Sequence, residues 1–370
     1  MIFSRPTQLE INLENIAHNT RLLKQHIGKT ELMAVVKAEA YGHGAFKVSE
    51  TSLSNGATWL GVATIDEAIT LREEGFSVPI FMLGGILASE SVLCSRYKID
   101  VSTYSSNFIR QIDAYSDKFE SPLRVHIKID TGMHRLGIYP EELQEFLMEI
   151  MTRKNIEIVG ICTHFPNASH DLELCARQLS TFDRCVLEAE AVIGKIPYKH
   201  AANSAAIFTV DHSHYDLVRA GLALYGYHDD AIIGKAAKTK FALSWKTRIT
   251  SVRQVKALEP VGYDGTYIPK QNSTIATIPV GYADGYKRAF SNKGMVLVHG
   301  RKVRISGRVC MDQTMIDVTG IDNIIEGDEV ILLGEQGNEE INVYDMCNWA
   351  ETIPNDILTS IKNRGAQIYI

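Results

Sequence analysis

The sequence predicts an α/β protein in two parts: an N-terminal (β/α)8 barrel and a C-terminal, mostly β domain. Three observations carry that reading. Eight short apolar runs fall within roughly the first 230 residues, most followed by helical or turn-rich sequence. Alternating β and α units imply a parallel sheet covered by helices, and eight of them match the ~250 residues such a barrel usually takes. Beyond about residue 240 β-rich runs separated by Gly, Asn and Asp take over. An open doubly wound sheet is the competitor, but no G-x-G-x-x-G turn follows the first strand.

The elements follow in order. Leu32–Lys37 (LMAVVK) reads as a buried strand ending in a lysine, and Tyr41-Gly42-His43-Gly44 after it as a tight, exposed turn. Trp59–Ala63 runs into Thr64-Ile65-Asp66-Glu67, a T-x-x-E capping box that starts a helix. Ile80–Leu83 and Ile99–Ser102 come next. Leu123–Ile129 alternates apolar residues with Arg124, His126 and Lys128. Pro140 sits where the first turn of a helix tolerates proline. Glu157–Thr163 precedes a long helical stretch over about Asp171–Ile193, and Tyr198–Ala202 and Asp216–Arg219 complete the eight.

In the second part, Leu243–Val255, Ser273–Val280, Met295–Val303, Lys302–Val309, Gln313–Val318 and Glu329–Leu333 read as strands, with one late helix over about Val343–Ile353. The small, basic stretch Gly234–Lys240 reads as a linker. The expected domains are therefore residues 1–240 and 241–370, with a first strand over about 1–12 free to join the second.

Composition excludes several functions. The 45% hydrophobic content supports a sizeable core. Charge is 38 Lys+Arg against 44 Asp+Glu, net −6, without the basic excess of a general nucleic-acid binder. No run of eighteen apolar residues suggests a membrane span, and the start lacks the pattern of a secretory signal. The six cysteines are scattered, with no CxxC pair. That spacing fits reduced thiols in a cytoplasmic protein, not a disulfide framework or a metal site.

The chemistry begins at Lys37 in AVVKAEAYGHG. Burying an ammonium costs several kcal/mol unless it is paired or neutralised. Barrel active sites lie at this end of the strands. A desolvated lysine loses proton affinity and can attack an aldehyde to form a Schiff base. This segment resembles the cofactor-lysine motif of the bacterial alanine racemases. The resemblance continues, in the family's order, through HIKIDTGMHRLG, GICTHF, HAANSAA, RAGLALYG, VGYDGTY, PVGYADGY and RVCMDQ.

The resemblance implies a pyridoxal 5′-phosphate enzyme acting on an amino acid as a homodimer with shared active sites. It implies that Tyr41, Ser204, Gly221 and Leu222 contact the cofactor phosphate, with Asn203 beside them. Loops after the seventh and eighth barrel strands commonly hold a phosphate, which suits these positions. Arg219 is implied to face the pyridine nitrogen. Arginine stays protonated, so that nitrogen must accept and remain unprotonated, which shortens the life of a carbanion and suppresses side reactions. His164 is implied to hold Arg219; alone it would read as a satisfied core histidine.

Racemisation needs a base on each face of the α-carbon. Lys37 serves one. The resemblance assigns the other to Tyr263, delivered from the partner subunit's second domain. Arg135, Met311 and Asp312 are implied to meet the substrate carboxylate, and Tyr282 to line the mouth of the site. Lys128 matches a lysine often carbamylated in the family, an anion that would orient Arg135. Three departures stand out. Gly262 and Asp264 flank Tyr263 in a less common pattern. Glu39 replaces a commoner Asn. Asn363 replaces a C-terminal tyrosine, and both Glu39 and Asn363 resemble the serine-racemising branch. The leading expectation is an alanine racemase supplying D-alanine for peptidoglycan, with an alanine/serine racemase as alternative. A related decarboxylase is disfavoured by Arg219, and a non-catalytic cofactor carrier by the second domain.

Overall fold

The computed structural model of the chain describes residues 5–228, 238–362 and 364–370. They form two compact units. One comprises Glu14–Ala40 and Gly44–Phe241; the other comprises Met1–Leu13, Tyr41–His43 and Ala242–Ile370.

The strand β1 (Gln8–Ile11) belongs to the second unit. The barrel strands are β2 (Glu31–Val35), β3 (Trp59–Val62), β4 (Ile80–Met82), β5 (Ile99–Thr103), β6 (Leu123–Lys128), β7 (Ile156–Cys162), β8 (Tyr198–His200) and β9 (Leu217–Ala220). They pair in parallel in the order β8-β7-β6-β5-β4-β3-β2-β9. Two further hydrogen bonds, Asp216 N–H to Lys199 O and Arg219 N–H to Ala202 O (3.1 and 3.0 Å), draw β9 towards β8. The sheet is a nearly closed eight-stranded barrel, as the sequence predicts. The capping box forms: Thr64 Oγ1 accepts from Glu67 N–H, and the Glu67 carboxylate accepts from Thr64 N–H. The long helix spans Leu172–Ile193, capped by Asp171.

Two local expectations fail. The first barrel strand stops at Val35, and Lys37 opens the next turn instead of ending the strand. That turn is not exposed, since Tyr41 and His43 are buried. Ala38, Glu39, Ala40 and Tyr41 have φ of 52, 53, 51 and 54°, a left-handed helical turn built from non-glycine residues. Each such residue costs roughly 1–2 kcal/mol, because Cβ crowds the following carbonyl.

The second unit holds β10 (Leu243–Arg248), β11 (Ser251–Val255), β12 (Ser273–Ile278), β13 (Met295–Val298), β14 (Arg301–Arg304), β15 (Thr314–Asp317), β16 (Glu329–Gln336), β17 (Glu339–Ile341) and β18 (Ala366–Tyr369). A seven-stranded sheet runs β14-β13-β16-β10-β1-β18, with β17 on β16, and a smaller sheet runs β11-β12-β15. The expected run Leu243–Val255 breaks after Arg248, and its halves join different sheets. The expected strand Met295–Val303 folds back on itself at His299-Gly300. Both residues have positive φ (48 and 71°), the geometry that suits the twist of a two-residue hairpin. The late helix is two helices, Val343–Ala350 and Pro354–Ser360. Glu351 turns left-handed (φ 55°) and Pro354 restarts the chain.

Candidate active site

The barrel's polar centre is built from alternation on β6. Side chains point to opposite faces in turn, so Arg124, His126 and Lys128 share one face. His126 and Lys128 are buried, as is Arg219 on β9. Arg219 Nη1 donates to His200 Nδ1 at 2.8 Å. Nη2 donates to Thr163 O (2.8 Å) and Ala201 O (2.9 Å), with His164 Nδ1 more distant at 3.3 Å. His200 is therefore the closer histidine partner, one the sequence reading missed. Among the described residues, Arg219 Nε and the second Nη1 proton make no hydrogen bond, so a buried guanidinium keeps two donors unspent.

Around Arg219 lie three more cations. Burial lowers the proton affinity of Lys37, and Arg135 lowers it further, against an opposing pull from Glu67. Burial also lowers that of Lys128, whose amine, among the described residues, reaches only Leu83 O, at 3.5 Å. His164 is pushed well below the usual histidine range, first by burial and then by Arg219, Lys128, Arg135 and Lys37, so these groups converge on one region. The nearby carboxylates are largely committed. Asp130 Oδ1 accepts from the N–H groups of Gly132, Met133 and His134, each at 3.0 Å, which folds the loop carrying Arg135. Glu67 accepts from Ala63 and Ala38 N–H, both at 2.7 Å, so the capping box also anchors the left-handed turn after Lys37. Arg135 is exposed and makes no hydrogen bond or ion pair among the described residues. Four cations with so little counter-charge favour an anionic ligand.

At the end of β8, Asn203 is spent on the fold: its amide donates to Phe165 O (2.9 Å) and accepts from Ala206 N–H (3.1 Å). Ser204 is not. Its Oγ accepts from Gly221 N–H (2.8 Å) and Ala223 N–H (3.3 Å), which fills both lone pairs and leaves the hydroxyl proton to donate. Gly221 is buried, and Leu222 opens the short helical turn after β9.

The remaining expected residues fall in the second unit. Tyr41 is buried and its phenol is pushed up to about 12, so it stays a donor. Tyr263 lies in the connection between β11 and β12, 70% exposed, between Gly262 (φ 73°) and Asp264 (φ 62°). Tyr282 and Met311 are exposed too, and their segments are locked together. Tyr282 N–H bonds Cys310 O (3.0 Å) and Ala283 N–H bonds Met311 O (2.9 Å). Gly281 permits that approach, since a Cβ there would lie 2.2 Å from Cys310 O. Asp312 accepts from Arg364 at 2.9 Å. Asn363 lies outside the described residues.

Sequence reasoning found the cations but missed their supports, Asp100, His126, His200 and Asp130. The available signal was polar residues in step on neighbouring barrel strands.

Comparison with known proteins is consistent along the whole chain. The family model described as "Alanine racemase, N-terminal domain" matches residues 11–229, and "Alanine racemase, C-terminal domain" matches residues 242–369. Alanine racemase of Carboxydothermus hydrogenoformans is 39% identical over 99% of this chain and 100% of its own length. That of Halothermothrix orenii is 40% identical over 99% and 97%. Among solved structures, alanine racemase from Bacillus anthracis with bound L-Ala-P superposes with a TM-score of 0.94 at 32% identity, covering 100% of this chain and 96% of that one. Alanine racemase from Bartonella henselae with covalently bound pyridoxal phosphate gives 0.88 at 32%, covering 99% of each.

Proposed function

The chain belongs to the alanine racemase family of isomerases, and from that premise we propose that it holds pyridoxal 5′-phosphate on Lys37 and interconverts L- and D-alanine with two bases. The observation that carries this is the cluster of Lys37, Lys128, Arg135 and Arg219, with unspent donors on Arg219 and Ser204. The cofactor's phosphate, ring nitrogen and aldehyde are the groups such a set would hold.

Bound there, pyridoxal phosphate supplies an electron sink that acidifies the hydrogen on the substrate α-carbon. Lys37, its proton affinity lowered by burial, would hold the cofactor through its aldehyde carbon and would be the group placed to exchange a proton on one face of the substrate. Tyr263 of the partner subunit serves the other face, an assignment supported by its exposure and by the family resemblance. Arg219 can only donate, so it keeps the ring nitrogen as an acceptor, with His164 beside it. Ser204, Tyr41 and the backbone at Gly221 and Leu222 meet the phosphate, and Asn203 holds the Ser204 loop. Arg135 binds the substrate carboxylate together with Met311 and Asp312 of the partner subunit, and Tyr282 lines the mouth. Carbamylation of Lys128 would supply the missing anion beside Arg135. The reading places the domain boundary near residue 240, the assembly as a homodimer and the enzyme in the cytoplasm, making D-alanine for peptidoglycan. No helix among the described residues is long and apolar enough to cross a membrane.

Asn363 favours a second substrate. Its amide can pair with a serine hydroxyl, whereas an apolar pocket discriminates such a group only ~10²-fold.

The test is alanine in deuterated water with the cofactor-loaded protein. Deuterium should enter at the α-carbon as the opposite enantiomer forms, and borohydride should fix the cofactor on Lys37. Absence of exchange, or fixation on another lysine, overturns the proposal.

A further inference from the structure

We infer that Asp100, His126 and His200 form a one-directional hydrogen-bond relay that positions Arg219. The inference rests on the reading that Arg219 faces the cofactor's ring nitrogen, and it adds three positioning residues.

The proton positions follow from one fact: arginine has no acceptor. Arg219 Nη1 lies 2.8 Å from His200 Nδ1, so that nitrogen carries the lone pair and His200 carries its proton on Nε2. His200 Nε2 lies 2.9 Å from His126 Nδ1 and donates to it. His126 must then carry its proton on Nε2, which lies 3.4 Å from Asp100 Oδ2. Asp100 accepts only, and also takes Arg124 Nε (2.8 Å) and Nη2 (3.2 Å). Reversing any link would set N–H against N–H. Burial favours neutral imidazoles at both histidines, with Arg219, Lys128 and Arg124 opposing their protonation and Asp100 alone favouring it at His126.

The packing is built for this chain. The Phe81 ring lies 4.5 Å from His126 and 5.3 Å from His200, centroid to centroid, and Trp59 packs edge-on against His126. Gly160 on β7 pairs with His126 across the sheet. A Cβ at Gly160 would lie 2.1 Å from His126 Nδ1, the atom that receives the His200 proton. The relay therefore has room only because residue 160 has no side chain. Its consequence is at Arg219: with Nη1 and Nη2 held from behind, Nε and the remaining Nη1 proton stay available to a ligand.

The test is nitrogen-15 NMR of histidine-labelled, cofactor-loaded protein at neutral pH. Both His126 and His200 should be Nε2–H tautomers. An Nδ1–H tautomer or an imidazolium at either position overturns the relay, without any variant having to fold. Gly160→Ala and Asp100→Asn should weaken the His200–His126 hydrogen bond and so shift the ring-nitrogen resonances of both histidines, shift the visible absorption of the bound cofactor and lower kcat about three- to tenfold, with KM for alanine within about twofold. Shifted resonances with unchanged spectrum and kcat would overturn the positioning role, and unshifted resonances would overturn the relay. Cofactor fixed on Lys37 with the wrong tautomers sinks the relay alone; cofactor fixed elsewhere sinks the functional reading while the tautomers still report on the relay.

Discussion

The buried centre of the barrel and the exposed loops of the second unit hold their candidate residues in opposite ways. In the barrel, Arg219, Ser204 and Asp130 are fixed from behind by hydrogen bonds within one chain. In the second unit, Tyr263, Tyr282 and Met311 turn their side chains to solvent, 70%, 41% and 54% exposed, although the backbone beneath the last two is locked. A preorganised group gives up little freedom when its ligand arrives, whereas an exposed side chain gains definition only from what covers it. Under the proposed function, a partner subunit would supply the surface that covers those exposed side chains.

The strongest way to break that contrast is to separate its halves. Lys37→Ala and Tyr263→Phe should each lower racemisation at least ~10²-fold, since each removes a proton-transfer group. Exchanging subunits between the two inactive proteins should restore one intact site per heterodimer. Full exchange without recovery would mean that Tyr263 serves its own chain.

A smaller effect should come from Asn363→Tyr. One hydrogen bond is worth roughly 0.5–1.5 kcal/mol, so the serine-to-alanine ratio of kcat/KM should fall about three- to tenfold while alanine turnover holds. An unchanged ratio removes Asn363 from specificity.

The smallest effect sharpens the barrel side. Lys128 is a buried amine with lowered proton affinity. Below its folded pKa it is charged in both states, and only the folded state bears the desolvation cost. Above the unfolded value near ~10.4 it is neutral in both, and the cost is gone. In bicarbonate-free buffer, Lys128→Met should raise the Tm by a few degrees at pH 7 and by almost nothing at pH 10.5. A pH-independent difference would contradict the buried cation. With bicarbonate present, a carbamate would reverse the sign at pH 7.

Legibility in the sequence followed the same division. The barrel could be read because each strand is a local apolar run, and Lys37 because its motif is contiguous. The left-handed turn could not, since Ala, Glu, Ala and Tyr have no preference for positive φ. Here the anchoring of Ala38 by Glu67 and the bond from Ala40 N–H to Val36 O override local propensity. His299-Gly300 hid a hairpin because histidine is a weak turn signal. The relay stayed hidden because polar residues in step on separate strands become a signal only once the register between those strands is known.

The placement of β1 has a consequence during synthesis. This strand lies inside its sheet, antiparallel to β10 and parallel to β18, yet roughly 230 residues separate it from β10, and β18 follows later still. At ~5–20 residues per second, a ribosome would need about 10–50 s to deliver the first of those neighbours. For that interval Gln8–Ile11 emerges with both edges unpaired, a template for pairing with other nascent chains. The sheet of the second unit thus cannot be completed until β18 is made, although it contains β1, which precedes every barrel strand.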